Sequence, residues 1–196
     1  MGYRQPFRFP DDIEGYSSEA ECLALYDLAC RIPEDGVIVE LGTYKGRSAV
    51  AMAQSGRTVW AFDRFQPESY FFNPLPDHRS GNFGADIVRQ NAGRYRVRVR
   101  VLEADTVEAG RYWQATNKPP IDLLFIDAGH EYEHVRADAM TWLPMVKDEG
   151  VVVFDDSIWP GVMRLICELD DWTPVPGPQA GGLTAMRRVA VAERIA

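Results

Sequence analysis

The sequence is poor in the features that mark secreted or membrane-bound proteins. It has three cysteines, Cys22, Cys30 and Cys167, and this odd count lies within apolar helical patterns. We therefore expect buried, reduced thiols rather than a disulfide framework. No apolar run approaches the ~18 residues of a membrane span, and the N-terminus lacks the apolar region of a secretory signal. These absences predict a cytoplasmic protein that does not bind membranes.

Positive charge is also scarce. Lysine and arginine number 21 against 29 aspartates and glutamates, which gives a net charge of −8. Such a surface repels phosphate backbones, so we expect no nucleic-acid partner. The stretch 94–100, RYRVRVR, is the exception. Its alternation predicts an outer strand whose arginines prevent edge pairing, with a nucleic-acid stripe as the weaker alternative.

Strand and helix patterns alternate along the 196 residues, with no internal repeat. One domain over 1–196 is expected at this length, beginning with a helical extension over 1–35. Within that extension, Ser18 and Glu21 form a capping box that opens a helix ending near Arg31. Five αβ repeats with continuous apolar strands predict an α/β, Rossmann-like, doubly wound domain. Its seven-stranded sheet should be mostly parallel, with helices on both faces.

The remaining helices are expected at 45–54, 85–92, 107–115, 131–146 (despite Pro144) and from Pro160 to about 169. Residues 64–82 carry several prolines and predict a long loop, which in a compact domain is usually functional. We interpret this loop as a lid or acceptor loop. Aromatic residues in or near it, and Trp159 further along, could shape an acceptor pocket, and packing into the core is an equal alternative for the aromatics of the loop region. Those aromatics are Phe65, Tyr70, Phe71, Phe72 and Phe83.

Acidic residues stand at the ends of five apolar strands in turn: Glu40, Asp63, Asp105, Asp127 and the pair Asp155 and Asp156. Ligands of parallel sheets bind outside the carboxyl ends of the strands, so these acids should line one rim. The alternative is that each acid caps the helix that follows. Five such acids in succession favour a ligand-binding rim.

The first strand leads into a glycine-containing turn, ELGTYKGRSAVAMA. Gly42 permits a tight turn and Gly46 permits close packing, and the next helix begins there. A dinucleotide site needs G-x-G-x-x-G, but Tyr44 stands in the place of the middle glycine. This counts against a nicotinamide cofactor. Asp63 lies about one βαβ step later and could accept hydrogen bonds from the ribose hydroxyls of a nucleoside cofactor, whether or not it carries nicotinamide.

This turn resembles the first motif of class I S-adenosylmethionine (SAM)-dependent methyltransferases. The resemblance continues through AFD, LEADT and FIDAGHEYEHV to FDD, over about Val37 to Ser157. It is nearest to metal-dependent small-molecule O-methyltransferases, of the catechol and antibiotic-sugar types. The resemblance implies transfer of a methyl group from SAM to a hydroxyl of a small-molecule acceptor, a sugar or a phenol, in a protein that forms homodimers.

The resemblance also implies a set of SAM-binding residues. Asp63 would take the ribose hydroxyls, and Asp105, with Ala104 or Thr106, would lie beside the adenine. Arg64 and Asp127 would complete the site. The methionine part of SAM would lie against the first turn, at Glu40, Gly42, Thr43, Tyr44, Gly46 and Ser48.

Three acids match the metal-binding positions of the family: Asp127, Asp155 and Asp156. Three ionised carboxylates at two strand ends would repel one another. A hard dication such as Mg²⁺ relieves that repulsion and would lower the pKa of a bound hydroxyl. The alternative is that Asp155 or Asp156 only caps the next helix.

The general base is less well defined by the sequence. Related sugar enzymes have an acid two residues after the first metal aspartate, where this chain has Gly129. His130 is therefore the candidate base, beside Asp127 as the other catalytic residue, and the alternative is a structural or cofactor contact.

Three functions compete with methyl transfer. The first is a metalloprotease, because His130 and His134 match the H-E-x-x-H zinc motif. His130 directly follows a strand, however, so the two histidines are not expected on one helical face. The second is a nicotinamide-dependent oxidoreductase, and the third is a non-catalytic SAM-binding protein.

Overall fold

A computed structural model describes residues 6–66, 83–176 and 180–190. Its helices are α1 (Glu19–Arg31), α2 (Arg47–Ala53), α3 (Ala85–Tyr95), α4 (Thr106–Ala115), α5 (Tyr132–Trp142) and α6 (Pro160–Cys167). Its strands are β1 (Ile38–Leu41), β2 (Val59–Asp63), β3 (Val99–Glu103), β4 (Ile121–Ile126), β5 (Val146–Phe154), β6 (Trp172–Pro174) and β7 (Thr184–Arg188). Most of the predicted lid, including Tyr70, Phe71 and Phe72, lies outside the described residues. Among the described helices, none is long and apolar enough to cross a membrane.

The strands form one seven-stranded sheet in the order β3-β2-β1-β4-β5-β7-β6. Strands β1 to β5 pair in parallel, while β7 runs antiparallel to both β5 and β6. This confirms the predicted fold class. The strand order reverses between β1 and β4, so the loops that follow these two strands diverge and leave a crevice between them.

Side chains that alternate along the strands bury two separate apolar layers. Leu123 and Phe125 of β4 pack with α1 and α2 on one face of the sheet. Leu124 and Ile126 pack with α4, α5 and α6 on the other. Every residue of β4 is consequently buried, which is why the central strands read as continuous apolar runs.

The arginine-rich stretch is not a strand over its whole length. Arg94 and Tyr95 end α3, and Arg96 adopts a left-handed conformation with φ 55°. The strand begins only at Val99. A helix end followed by a turn can thus mimic strand alternation over a few residues. The predicted position of β3 at the outer edge of the sheet is correct.

The helix expected over 131–146 also ends early. Regular helix stops at Trp142, a 3-10 turn covers Leu143–Met145, and Val146 already begins β5. Pro144 lacks an N–H and its ring clashes with the preceding turn of an α-helix, so it permits the tighter turn but no continuation.

The capping box of α1 reaches far beyond its own helix. Ser18 N donates to Glu21 Oε2 over 2.7 Å, and Glu21 N donates back to Ser18 Oγ over 3.3 Å. The other carboxylate oxygen, Oε1, accepts from Gly182 N over 3.1 Å, from 161 residues away. Gly182 O in turn accepts from Ser157 N at 2.8 Å and from Ser157 Oγ at 2.6 Å. One network therefore joins the start of α1, the β6–β7 loop and the residue after Asp156.

Candidate active site

The crevice opens at the turn after β1, where two strand ends touch. Gly42 has φ +83°, and a Cβ on it would lie 2.0 Å from the backbone oxygen of Asp127. Gly42 N donates to Phe62 O, and Asp127 N donates to Leu41 O, both at 2.8 Å. Only glycine allows this left-handed turn and this close approach.

Gly46 has a related but different role. It precedes α2 with φ +87°, and a Cβ on it would lie 2.9 Å from Val88 Cγ1. The close packing expected from Gly46 is therefore with α3, which carries Val88, rather than between strand and helix.

The turn is also held from outside by the segment that precedes α1. Glu14 accepts from the Tyr44 hydroxyl at 2.8 Å and from Lys45 Nζ at 2.6 Å. Arg47 Nε donates to Ile13 O at 2.6 Å. The N-terminal extension thus fixes the outer side of the candidate cofactor turn.

Glu40 lies inside β1, next to its last residue, and is fully buried. Its Oε1 accepts from Ser48 Oγ over 2.5 Å. Burial raises the pKa of Glu40 to about 7, and the nearby charge of Asp63 adds to the rise. Glu40 Oε2 and Thr43 Oγ1 are buried without a hydrogen bond of good geometry within the described part of the chain, although the Thr43 hydroxyl lies close enough to Glu40 to lower the pKa of that carboxyl. Buried polar atoms are rarely left unpaired, so both fit a polar ligand in the crevice.

Asp63 ends β2 and holds the turn from below. Its Oδ2 accepts from Thr43 N at 2.9 Å and from Tyr44 N at 2.8 Å, while Oδ1 accepts from Phe65 N at 2.8 Å. These bonds stabilise Tyr44 with its φ of 49°. Asp63 thus braces the turn from the end of the neighbouring strand.

Asp105 caps α4, as the capping alternative anticipated. Its Oδ1 accepts from Val107 N and from Glu108 N at 3.0 Å each. Its Oδ2 lies 3.7 Å from Arg64 Nη1, which brings two predicted cofactor residues together. Ala104 N donates to Asp63 O over 2.9 Å, so this end of the rim is continuous with the turn.

Asp138 is a buried acid that the strand-end pattern does not predict. It lies on α5 and accepts from Thr106 Oγ1 over 2.5 Å, and burial raises its pKa to about 6. Trp142, one turn later, donates from Nε1 to Thr106 O at 2.8 Å. An acid on the apolar face of α5 was the available signal. These two bonds hold Thr106 in place.

The ends of β4 and β5 bring a second group of side chains together. Asp127, His130 and Asp155 each offer a ligand atom, and these atoms all lie within 4.8 Å of one another. His130 Nε2 is 3.7 Å from Asp127 Oδ1 and 3.4 Å from Asp156 Oδ2. At these separations it makes no hydrogen bond to any described residue, although the atom is buried. Asp156 is thus a neighbour of the group rather than a member.

The carboxyl groups of this cluster are electrostatically strained. Asp127 exposes 24% of its side chain at the crevice, yet desolvation raises its pKa well above the usual value, and the charge of Asp155 raises it further. Burial also raises the pKa of Asp155. Neighbouring carboxylates with little solvent need a proton or a cation between them.

Neither Asp155 nor Asp156 caps α6, so the capping alternative is wrong for this pair. The N-cap of α6 is Trp159, and no described side chain bonds to the start of the helix. Trp159 instead stands against His130, with ring centroids 5.6 Å apart. Trp159 is 42% exposed and the preceding Ile158 is 71% exposed, so an apolar surface borders the acidic cluster.

The zinc-protease alternative does not survive the geometry. Glu131 is the N-cap of α5, which begins at Tyr132. His130 therefore lies outside the helix that carries His134, and the two imidazoles do not share one helical face.

A family model described as a methyltransferase domain matches residues 39–157 of this chain. The chain belongs to this methyltransferase family. This confirms the resemblance to class I SAM-dependent methyltransferases and the expectation of an enzyme of that class, and it sets aside the nicotinamide-dependent oxidoreductase.

Solved structures share the fold at low sequence identity. An O-methyltransferase from Bacillus cereus in complex with SAH is 18% identical, with TM-score 0.66, over 91% of this chain and 85% of the other. A calicheamicin methyltransferase is 22% identical, with TM-score 0.63, over 85% and 76%. An rRNA methylase from Streptococcus thermophilus is 12% identical, with TM-score 0.60, over 90% and 100%. Since these proteins include both a calicheamicin methyltransferase and an rRNA methylase, the fold alone does not specify the methyl acceptor.

An uncharacterised protein of Sinorhizobium fredii is 30% identical over 129 residues, which is 61% of this chain but 13% of that protein. The chain thus spans only a small part of this curated relative.

Proposed function

We propose that this chain transfers the methyl group of SAM to a hydroxyl of a small-molecule acceptor. The observation that carries the proposal is the set of buried polar atoms at one rim that have no partner among the described residues: Glu40 Oε2, Thr43 Oγ1 and His130 Nε2. Each would be costly to bury unless a ligand pairs with it. They lie along the sheet edge where the strand order reverses, which is where doubly wound sheets bind ligands.

The SAM contacts are assigned along this rim. Glu40 suits the positive amino-acid end of SAM, because a buried carboxylate gains most from a cation. Thr43 and Tyr44, on the turn shaped by Gly42 and Gly46, and Ser48, in the first turn of α2, would surround it. Asp63, at the end of β2, would take the ribose hydroxyls. The adenine would lie between the Arg64–Asp105 pair and the segment 104–106, with Asp127 closing the site.

The chemistry is a direct displacement. The acceptor oxygen attacks the methyl carbon, the carbon–sulfur bond breaks, and sulfur keeps its electron pair. The hydroxyl proton passes to a residue of the rim, with Asp127 and His130 as the two candidates. SAM supplies the electrophilic methyl group, so the protein mainly aligns the reactants and excludes water.

A divalent cation at the β4–β5 ends fits the residues present. Asp127, Asp155 and Asp156 would hold it, with His130 beside them. Carboxylate ligands of this kind favour Mg²⁺. When bound, such an ion lowers the pKa of the acceptor hydroxyl and orients it. The exposed rings and methyl groups of Trp159 and Ile158 would then cover the apolar part of the acceptor.

Substitution of Thr43 by valine tests the SAM site. The change removes a hydroxyl that makes no hydrogen bond of good geometry in the free protein, so the free energy of unfolding should change by less than about 1 kcal/mol. SAM affinity should fall about three- to tenfold, as expected for one lost hydrogen bond. Thermal shift with SAM and with S-adenosylhomocysteine measures both quantities. Thr141→Val is the matched control, since the Thr141 hydroxyl already donates to Ala137 O on α5.

The acceptor is sought by a screen of catechols and deoxysugar glycosides with added Mg²⁺, read by release of S-adenosylhomocysteine. No thermal shift with excess SAM would overturn the cofactor assignment. A shift without turnover of any acceptor would favour the non-catalytic SAM-binding alternative.

A further inference from the structure

The metal-ligand group at the β4–β5 ends contains an imidazole, which an all-carboxylate magnesium site does not. The ligand atoms of Asp127, His130 and Asp155 lie within 4.8 Å of one another. Two ligands of one cation at ordinary distances of ~2.0–2.2 Å lie at most ~4.4 Å apart. The three atoms therefore need to approach one another by only a few tenths of an ångström to hold one ion.

His130 is fixed by its surroundings rather than free to turn away. Its ring stands against the Trp159 ring at 5.6 Å. Its backbone oxygen is so close to α6 that a Cβ on Gly161 would lie 2.5 Å from it. The loop between β4 and α5 is therefore held against the start of α6.

The nitrogen that faces the acids is the unsatisfied one. His130 Nε2 is buried and makes no hydrogen bond within the described part of the chain, although Asp127 and Asp156 lie within 4 Å. A buried ring nitrogen that lies beside carboxylates and has no hydrogen-bonding partner is suited to bind a metal ion.

We infer that His130 completes a nitrogen–oxygen site with Asp127 and Asp155, and that this site selects a first-row transition-metal dication over Mg²⁺. Imidazole suits the transition metals, whereas Mg²⁺ prefers oxygen ligands only. The inference rests on the proposed metal-assisted methyl transfer and specifies its ion. A His130 whose lone pair binds the ion cannot also take the acceptor proton, which leaves that step to a rim carboxylate.

The test uses Mn²⁺ as the probe on the full chain, with S-adenosylhomocysteine present. Electron paramagnetic resonance of free Mn²⁺ gives its affinity, and competition gives that of Mg²⁺. Electron spin-echo modulation reports a coordinated imidazole nitrogen directly. We expect Mn²⁺ to bind at least ~10-fold more tightly than Mg²⁺, with the nitrogen signal present. Loss of a residue that merely hydrogen-bonds to a metal ligand already lowers metal affinity by about 10-fold or more.

His130→Asp is the decisive variant, because it keeps three ligands but makes all of them oxygen. The nitrogen signal should disappear, and the preference for Mn²⁺ over Mg²⁺ should fall at least ~10-fold, whatever happens to activity. His134→Gln is the matched control: it removes the exposed histidine on α5 and should leave both readouts unchanged.

Mn²⁺ binding without a nitrogen signal, or an unaltered preference in His130→Asp, would overturn the inference in favour of an all-oxygen site. No binding of either ion would overturn it as well. The thermal shift with SAM, measured without added metal, separates these results from failure of the proposed function.

Discussion

The two halves of the rim use the same residue type in opposite ways. In the half built from β1, β2 and β3, two of the three acids are held by backbone N–H groups, and Glu40 keeps one oxygen without a hydrogen bond among the described residues. Asp63 accepts three backbone N–H groups, and Asp105 caps α4. In the half built from β4 and β5, Asp127 and Asp155 lie beside one another and His130. Burial raises the pKa of both carboxyl groups, and the charge of Asp155 raises the pKa of Asp127 further.

This difference separates carboxylates that support the local backbone from carboxylates that are available to a ligand, within one edge of the sheet. In the first half, Asp63 shapes the turn and Asp105 caps α4, so the charges of these two acids are already compensated by backbone N–H groups. The second half stores uncompensated charge, which is the usual condition of a site that awaits a ligand. Position at a strand end therefore does not define what an acid does, and its bonding partners do.

Asp127→Asn tests the contrast between the two halves most severely. Because the variant loses a charge of the second half, methyl transfer should fall about 10³-fold, the several kcal/mol that an ion at the reacting oxygen supplies. The free protein should become more stable, since an ionised carboxyl no longer has to be desolvated. Turnover assays and urea unfolding measure the two effects, and unaltered turnover would remove Asp127 from the site.

Gly42→Ala should damage both halves together, since Gly42 joins them. The left-handed φ and the 2.0 Å approach to Asp127 O should reduce the free energy of unfolding by about 2–5 kcal/mol. Urea unfolding measures the loss. Gly93→Ala is the matched control: no described atom lies within 4 Å of its added Cβ, and in α3 it should stabilise by about 0.5–1 kcal/mol. Equal effects of the two changes would contradict the role given to the turn.

Glu40 makes the first half sensitive to pH. Its pKa is 4.5 when unfolded and about 7 in the buried site, so the folded state holds its proton more tightly. The stability gained from this is complete below pH 4.5 and is lost as the pH rises to about 7, by up to about 3 kcal/mol. Unfolding measured across pH 4 to 8 should show this fall, and Glu40→Gln should reduce it. An identical profile in the variant would sink the assignment.

Asp63→Asn tests the bracing function with the smallest expected effect. An amide offers one acceptor oxygen in place of two, so one of the backbone N–H groups of the turn loses its partner, at a cost of about 1–3 kcal/mol. Thermal unfolding should show this loss. Asp86→Asn is the surface control, since Asp86 pairs with Arg89 on the exposed side of α3 and should change stability by less than about 0.5 kcal/mol.

Most of the fold follows from local pattern. Continuous apolar strands and amphipathic helices predicted the parallel sheet, and the capping box placed the start of α1. The errors occurred where the signal was short or mixed. Arg94 to Val97 alternate like a strand while ending a helix, and Pro144 interrupts a helix whose apolar period continues.

The site was predictable as a set of residues but not as a set of contacts. Strand ends meet at one edge in any parallel sheet, so the acids could be grouped from the sequence. Distances between loops depend on packing that no local pattern records. This is why Asp138 was missed, and why the grouping of His130 rather than Asp156 with Asp127 and Asp155 needed the structure.

Glu21, in the first turn of α1, is connected by hydrogen bonds to the acidic end of β5. Through Gly182 and Ser157 it links the first helix to the backbone beside Asp156. A single carboxylate thus connects the N-terminal helix to the loop between the last two strands. A substitution of Glu21 would therefore alter the support of the backbone beside Asp156 without changing any residue of the rim.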